Sequence, residues 1–410
     1  MDAEAIYNSV PAWCQTALMN LHALRIELHR YGPRFARAVD NLRSSERWDR
    51  DRLERFQSDR LRRIVRHAYR HSSFYRRSFD RAGLTPDDIR DTTHLVRIPL
   101  LTKEDLRFQG NELRTRRRPA RGWQHGHTSG TTGSPVSLWY DRNTCVMTNA
   151  VDWRQKEWAG MRPGDWLGVL LGRAVVPPES SGLGAWRTNW IQRQVWFSSH
   201  HFTDSAIESY AREMRRRGLQ YLEGYPSTLY IIASHLLRRG ERLPLRAAFT
   251  SSETLHDIQR ETIEAAFECP LFDFYGLAER VAFAVECEVH DGKHLCEEYG
   301  ITEVVDANGE AVAPGQHGYL VGTSLHNTAT PLLRYRTGDM TAILEEPCPC
   351  GRPARRIANV TTKAEDLLVT PSGRLISPST LTHPFKPYEE IRMSKIVQEA
   401  PDHVRVLVVD

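Results

Sequence analysis

The sequence has no apolar run approaching the ~20 residues that a membrane-spanning helix requires. Its most apolar stretch, Trp166 to Gly172, is strand-length. The start, Met1-Asp2-Ala3-Glu4, lacks the basic region and apolar segment of a secretory signal. Cysteine is sparse and odd in number, seven in 410 residues. Reduced thiols or a metal site in a cytoplasmic protein are therefore expected in place of a disulfide framework. A surplus of one charge is missing too: 55 Lys and Arg face 51 Asp and Glu, a net charge of +4. Nucleic-acid binding needs concentrated basic charge, so none is expected. Repeats and low-complexity segments are absent. The remaining composition, 40% apolar and 26% charged, is that of a globular protein long enough for two domains or more.

Three regions follow from texture. Residues 1–120 read as helical and arginine-rich, with apolar residues three and four apart over Leu21 to Glu27 and Leu61 to Tyr69. The arginine run from Arg60 to Arg77 is interleaved with acids nearby and reads as a solvated helical face. Residues 121–362 alternate strands (Trp166 to Leu171, Ala247 to Thr250, Pro270 to Tyr275) with helices (Ala206 to Arg217, Pro226 to Arg239, Leu255 to Phe267), which predicts an α/β core. Beyond Tyr299 the pattern turns strand-rich, through Ile301 to Val305, Gly318 to Ser324 and Met340 to Leu344, predicting an antiparallel subdomain. Residues 363–410 are left for a hinge and a shortened C-terminal α+β domain ending on an apparent strand, Val404 to Val409.

The strongest local signal is Thr128-Ser129-Gly130-Thr131-Thr132-Gly133-Ser134-Pro135. Glycines allow tight turns there, and the hydroxyls and N–H groups between them can converge on phosphate oxygens. A Walker loop is excluded, because its G-x-x-x-x-G-K pattern needs a lysine absent here.

This loop resembles the phosphate-binding signature of the adenylate-forming (AMP-binding, acyl-CoA synthetase) superfamily. Three further segments resemble that family's motifs in the same order. Tyr275-Gly276-Leu277-Ala278-Glu279 has Ala278 where the family usually has Thr. Tyr335-Arg336-Thr337-Gly338-Asp339 matches a Y-R-T-G-D pattern, and Lys363-Ala364-Glu365-Asp366 resembles a weakened hinge. Val136 after Pro135, Gly224-Tyr225-Pro226-Ser227, Ile98 to Lys103 and Cys348 to Arg352 give the chain the look of the phenylacetate–CoA ligase-like branch. Thr370 to Pro378 resembles its capsular-polysaccharide-associated members.

The resemblance implies a large α/β domain of two packed sheets with flanking helices, and an ATP-dependent ligase that turns a small carboxylic acid into an acyl adenylate with release of pyrophosphate. CoA, a carrier-protein thiol or an amine would then take the acyl group. Residues Thr128, Ser129, Gly130, Thr131, Thr132 and Gly133 would cradle the ATP phosphates, and Glu279 would meet Mg²⁺, a hard cation suited to one carboxylate plus phosphate oxygens. Tyr275 and Gly276, with Ser252 and Glu253, would line the adenine, while Asp339 would accept from the ribose hydroxyls. Lys363 would stand in for the family's hinge arginine, without that residue's planar bidentate grip, and Glu365 would be the hinge acid. The last lysine, Lys395, lies too early to be the family's C-terminal catalytic lysine. The alternative is a degenerate nucleotide-binding partner protein without full turnover.

Cysteine spacing adds a separate expectation. Cys287 and His290, three residues apart, and Cys348 with Cys350 form a Cys₃His set suited to a closed structural Zn²⁺ site. His294 and Cys296 compete as ligands.

Overall fold

The structure, a computed structural model, describes residues 7, 10–127, 136–172, 175–177, 184–360, 368–369, 371, 375–376, 393–400 and 402–409. The N-terminal part is helical, as its 3.6-residue periodicity requires: α1 (Ala12–Arg30), α2 (Pro33–Ser45), α3 (Arg50–His71), α4 (Ser73–Arg81) and α5 (Lys103–Leu113). Arginines of α3 and α4 are solvated or paired at the surface, Arg66 with Asp87 and Arg77 with Glu112 among them. Helix α5 begins on a capping box in which Thr102 and Asp105 satisfy each other's backbone N–H groups. That cap fixes Lys103 at the first helical position.

Next come β1 (Gln124–His127) and β2 (Ser137–Tyr140), then α6 (Arg142–Trp158), β3 (Leu167–Leu170), β4 (Trp186–Asn189), β5 (Gln194–Phe197), α7 (Asp204–Arg217), β6 (Tyr221–Gly224), α8 (Pro226–Arg238), β7 (Ala247–Ser251), α9 (Asp257–Phe267) and β8 (Leu271–Gly276). Helix α7 ends on Gly218 in the left-handed region (φ 61°), where glycine avoids the Cβ penalty. Strands follow as β9 (Phe283–Val285), β10 (Lys293–Leu295), β11 (Gly300–Val305), β12 (Gly318–Ser324), β13 (Tyr335–Thr341), β14 (Ile343–Leu344), β15 (Arg356–Ile357), β16 (Leu368–Val369), β17 (Leu375–Ile376), β18 (Met393–Ala400) and β19 (His403–Val409).

Ten strands make one mixed sheet in the order β14-β15-β10-β9-β8-β7-β6-β3-β5-β4. Its centre, β8-β7-β6-β3-β5, is parallel. Strands β3, β6 and β7 are buried along their whole length, as central strands of a parallel sheet should be. The carboxyl ends of β6, β7 and β8 (Gly224, Ser251 and Gly276) therefore open on one side, the usual ligand side of such a sheet. A second antiparallel sheet, β11-β12-β13, carries the expected strand-rich region. The strand anticipated from Met340 to Leu344 instead begins at Tyr335, is broken at Ala342 and resumes as β14, so the Tyr335–Asp339 segment lies within β13. One apolar cluster joins α3, α4, β2, β9, β12 and β13, with Leu61, Phe79, Tyr140, Val281, Leu320 and Tyr335 in its interior, and Tyr275 and Leu277 pack against it. Burial of that cluster brings the two motif segments together.

Candidate active site and thiol cluster

The end of β8 and the middle of β13 meet through two crossed hydrogen bonds. Tyr275 donates from its hydroxyl to Asp339 Oδ2 at 2.6 Å, and Tyr335 donates to Glu279 Oε1 at 2.8 Å. The tyrosine of each motif thus holds the acid of the other. Both rings are pinned, Tyr335 fully buried and Tyr275 partly buried against the apolar cluster, so neither carboxylate is free to swing. Glu279 is itself buried, and its second oxygen has no hydrogen-bond partner among the described residues. Burial pushes the Asp339 carboxyl up to about 6; Tyr275 and Lys103 oppose that rise and the Glu279 charge adds to it. Burial and the neighbouring acids also drive both tyrosine hydroxyls well above their ordinary value. Gly338 has φ 91°, a left-handed conformation that lets β13 turn just before Asp339 and set its N–H on Thr337 Oγ1 at 3.1 Å.

The phosphate-loop residues Thr128, Ser129, Gly130, Thr131, Thr132 and Gly133 lie outside the described residues, as do Lys363 and Glu365. The strands flanking the loop are described. His127 pairs with Ser137 as the last rung of the β1–β2 hairpin. Tyr140 of β2 donates to the Ala278 carbonyl, and the Arg280 guanidinium sits 3.9 Å from the Tyr140 ring centroid. The hairpin base is therefore fastened to the segment that carries Glu279.

Ser252 follows the end of β7 with φ 69°. Glu253 accepts from the Ser227 N–H and hydroxyl, both at 3.1 Å, and so caps the first turn of α8. Sequence reasoning missed Lys103, whose charge bears on Asp339. Leu101 exchanges backbone hydrogen bonds with Arg334 and Arg336 at 2.9 Å each, which places the start of α5 beside β13. The segment Ile98 to Lys103 had signalled a branch of a family; its backbone pairing was the missing clue.

A second cluster lies at the edge of the ten-stranded sheet. Cys287 follows β9, His294 sits in β10, and Cys348 and Cys350 lie between β14 and β15. Their ligand atoms fall within 4.8 Å of one another. The Cys287 and Cys348 sulfurs are 3.6 Å apart, and Cys350 Sγ is 3.4 Å from His294 Nε2. Tetrahedral Zn²⁺ with sulfur at about 2.3 Å and nitrogen at about 2.0 Å has ligand–ligand edges of about 3.5–3.8 Å. The donor set fits that ion. Burial pushes the His294 imidazole down to about 4, leaving a neutral nitrogen ligand.

His294, and not the expected His290, completes the cluster. His290 closes a turn on the Cys287 carbonyl with φ 56°, and its ring is sent the other way, against Phe272 at 4.7 Å and with Nδ1 3.2 Å from Glu286. Glu286 belongs to a buried ion network with Arg260 and Lys293, and Lys293 also reaches Asp273 at 3.1 Å. Cys296 is buried beyond the thiol set and is not part of it.

Two tyrosine-held acids at the carboxyl end of β8, beside a parallel sheet, fit the class of adenylate-forming ligase folds. No family model matches the chain. It is 32% identical over 331 residues to the phenylacetate–coenzyme A ligase of Thermus thermophilus, covering 78% of this chain and 72% of that protein. The Escherichia coli phenylacetate–coenzyme A ligase is 28% identical over 357 residues, covering 83% and 78%. Protein CapK of Staphylococcus aureus is 24% identical over 413 residues, covering 98% and 88%. Among solved structures, 2-hydroxyisobutyryl-CoA ligase with 2-HIB-AMP and CoA in its thioesterification state matches with a TM-score of 0.62 at 24% identity, over 88% of this chain and 79% of that one. The chain belongs to the phenylacetate–CoA ligase family. No helix among the described residues is long and apolar enough to cross a membrane.

Proposed function

We propose that the protein activates a carboxylic acid with ATP, forming an acyl adenylate and pyrophosphate, and passes the acyl group to the thiol of CoA. The observation that carries this reading is the crossed pair Tyr275–Asp339 and Tyr335–Glu279, which sets two acids side by side at the ligand end of the sheet. The phenylacetate–CoA ligases among its relatives favour the enzyme over a non-catalytic partner.

Two anions must meet for the carboxylate to attack the α-phosphorus, so the site has to neutralise charge and hold an in-line geometry. Thr128 to Gly133 supply donors to the phosphates. Asp339, kept in place by Tyr275, accepts from the ribose hydroxyls, and Ser252, Tyr275 and Gly276 line the base. Glu279, held by Tyr335 through one oxygen, has the other available to a hard cation. Mg²⁺ there would offset the charge built up on the phosphates. Lys363 and Glu365 serve at the hinge. CoA is the acceptor we favour over a carrier protein or an amine.

The four ligands Cys287, His294, Cys348 and Cys350 hold a structural Zn²⁺. Four protein ligands leave no open position, so the ion fixes the β9–β10 and β14–β15 edge and takes no part in chemistry. The test of the whole reading is to supply ATP, Mg²⁺, CoA and a panel of aryl and aliphatic acids and follow thioester and AMP. Stoichiometric AMP and thioester with at least one acid are expected. AMP without thioester would remove CoA as the acceptor.

A further inference from the structure

Helix α1 leaves its main apolar stripe uncovered, which is unusual for a surface helix. Amphipathic helices bury their apolar stripe and solvate their polar face. Here the face turned to the body of the protein is mixed, with Gln15 and Ala23 buried and Met19, Asn20 and Ile26 partly so. Gln15 accepts from Arg187 Nε at 2.9 Å, and Asn20 donates to the Thr188 carbonyl at 2.8 Å while accepting from the Trp190 N–H at 2.8 Å. The apolar side is left outside: Trp13 is 74% exposed, Leu21 66%, Leu24 42% and Leu28 70%. Asn20 also brings Trp190 and Ile191 of the β4–β5 turn alongside, 59% and 43% exposed. Together these side chains present roughly 700 Å² to solvent, close to the ~800 Å² that each partner contributes to a standard interface and above what single scattered apolar residues amount to.

We propose that this face is the interface of a two-fold homodimer in which α1 packs antiparallel against α1 of a second copy. Ala17, Leu21, Leu24 and Leu28 are spaced 4, 3 and 4 apart, the repeat of a helix–helix seam. In an antiparallel pairing about a two-fold axis, Ala17 meets Leu28 and Leu21 meets Leu24, so a small residue faces a large one at each end. Flanking contacts bring Arg25 towards Leu18 of the other copy, and like charges do not oppose each other. A helix lying on lipid would instead carry a Lys/Arg-rich rim. The rim here has Arg25 and Glu27, and Arg30 is already bonded to Gln124.

The experiment is the mass of the full-length protein by light scattering or sedimentation over about 0.1–100 µM. The account expects twice 47.1 kDa at micromolar concentration. It also expects Leu21→Glu/Leu24→Glu, and separately Leu28→Lys, to raise the dissociation constant by about 100-fold or more, with unchanged circular dichroism and AMP binding. Mixing Leu21→Cys with Leu24→Cys chains under oxidation should cross-link the two kinds of chain at those positions; cross-links only between like chains would overturn the antiparallel arrangement. A single-chain mass throughout the range overturns the proposal, as does a dimer untouched by either variant. Binding to anionic vesicles that these variants abolish, with the mass single-chain, would assign the face to lipid instead.

Discussion

The crossed tyrosine–carboxylate site and the thiol cluster solve opposite problems with similar means. Both gather ionisable groups that burial disfavours. In the first, the groups remain short of partners: the Glu279 carboxylate has one oxygen without a hydrogen-bond partner among the described residues, and Asp339 is pushed up to about 6. In the second, four donors converge so closely that one soft cation would satisfy all of them. On the proposed reading, an unfinished set of charges would take a transient ligand and a closed set would keep a permanent one. The difference teaches which region should answer to nucleotide and which to chelator.

The largest expected effect breaks the first region. Glu279→Gln keeps the shape and the Tyr335 contact but removes the charge, and should lower adenylation by about 10²–10³-fold with the fold intact. Pyrophosphate release with an accepted acid measures it, and full activity would strip Glu279 of its role. In the second region, removing Zn²⁺ with a strong chelator, or making Cys348→Ser, should lower the melting temperature by about 5–10 °C, because the ion ties together loops far apart in sequence. Elemental analysis should give one zinc per chain. Zinc well below that, with melting indifferent to chelator, would return the cysteines to ordinary buried thiols.

Smaller effects sharpen the contrast. Asp339→Ala should weaken AMP binding by about 1–3 kcal/mol by calorimetry, the scale of a charged hydrogen bond. Asp339→Asn should do something else to the nucleotide-free protein. The folded carboxyl titrates at about 6, above its unfolded value of about 3.9, so the native state binds more protons between those limits and stability falls as pH rises through them. Asparagine removes that penalty. The variant should be more stable than the parent by about 1–2 kcal/mol above pH ~6, with the gap closing towards pH ~4. Denaturant melts at the two pH values decide it, and a gap independent of pH would mean that Asp339 is not strained in the free site.

The two motifs that meet in the first region stood out in the sequence because each is a contiguous run of five residues that resembles a family signature. What could not be read was how the runs interlock. Nothing local to Tyr335 says that it holds Glu279, 56 residues away, and nothing in Thr102-Lys103 says that a capping box sets a lysine beside β13. In the second region the thiols were legible and the histidine was not. Choosing His290 over His294 by spacing ignored the turn after Cys287, which sends the His290 ring towards Phe272, while His294 lies in a strand facing the thiols. Helix α1 makes the same point. Its periodicity showed an amphipathic helix, but periodicity does not say which face the body takes. The polar partners on β4 decided that.

The measurement closest to the central claim is ATP–pyrophosphate exchange. It reports formation of the adenylate alone, before any acceptor is needed. With phenylacetate or another acid of the panel, the parent protein should exchange label into ATP only when both acid and Mg²⁺ are present, and Glu279→Gln should lose nearly all of that signal. Exchange absent with every acid, in folded protein shown to bind ATP, would contradict the account.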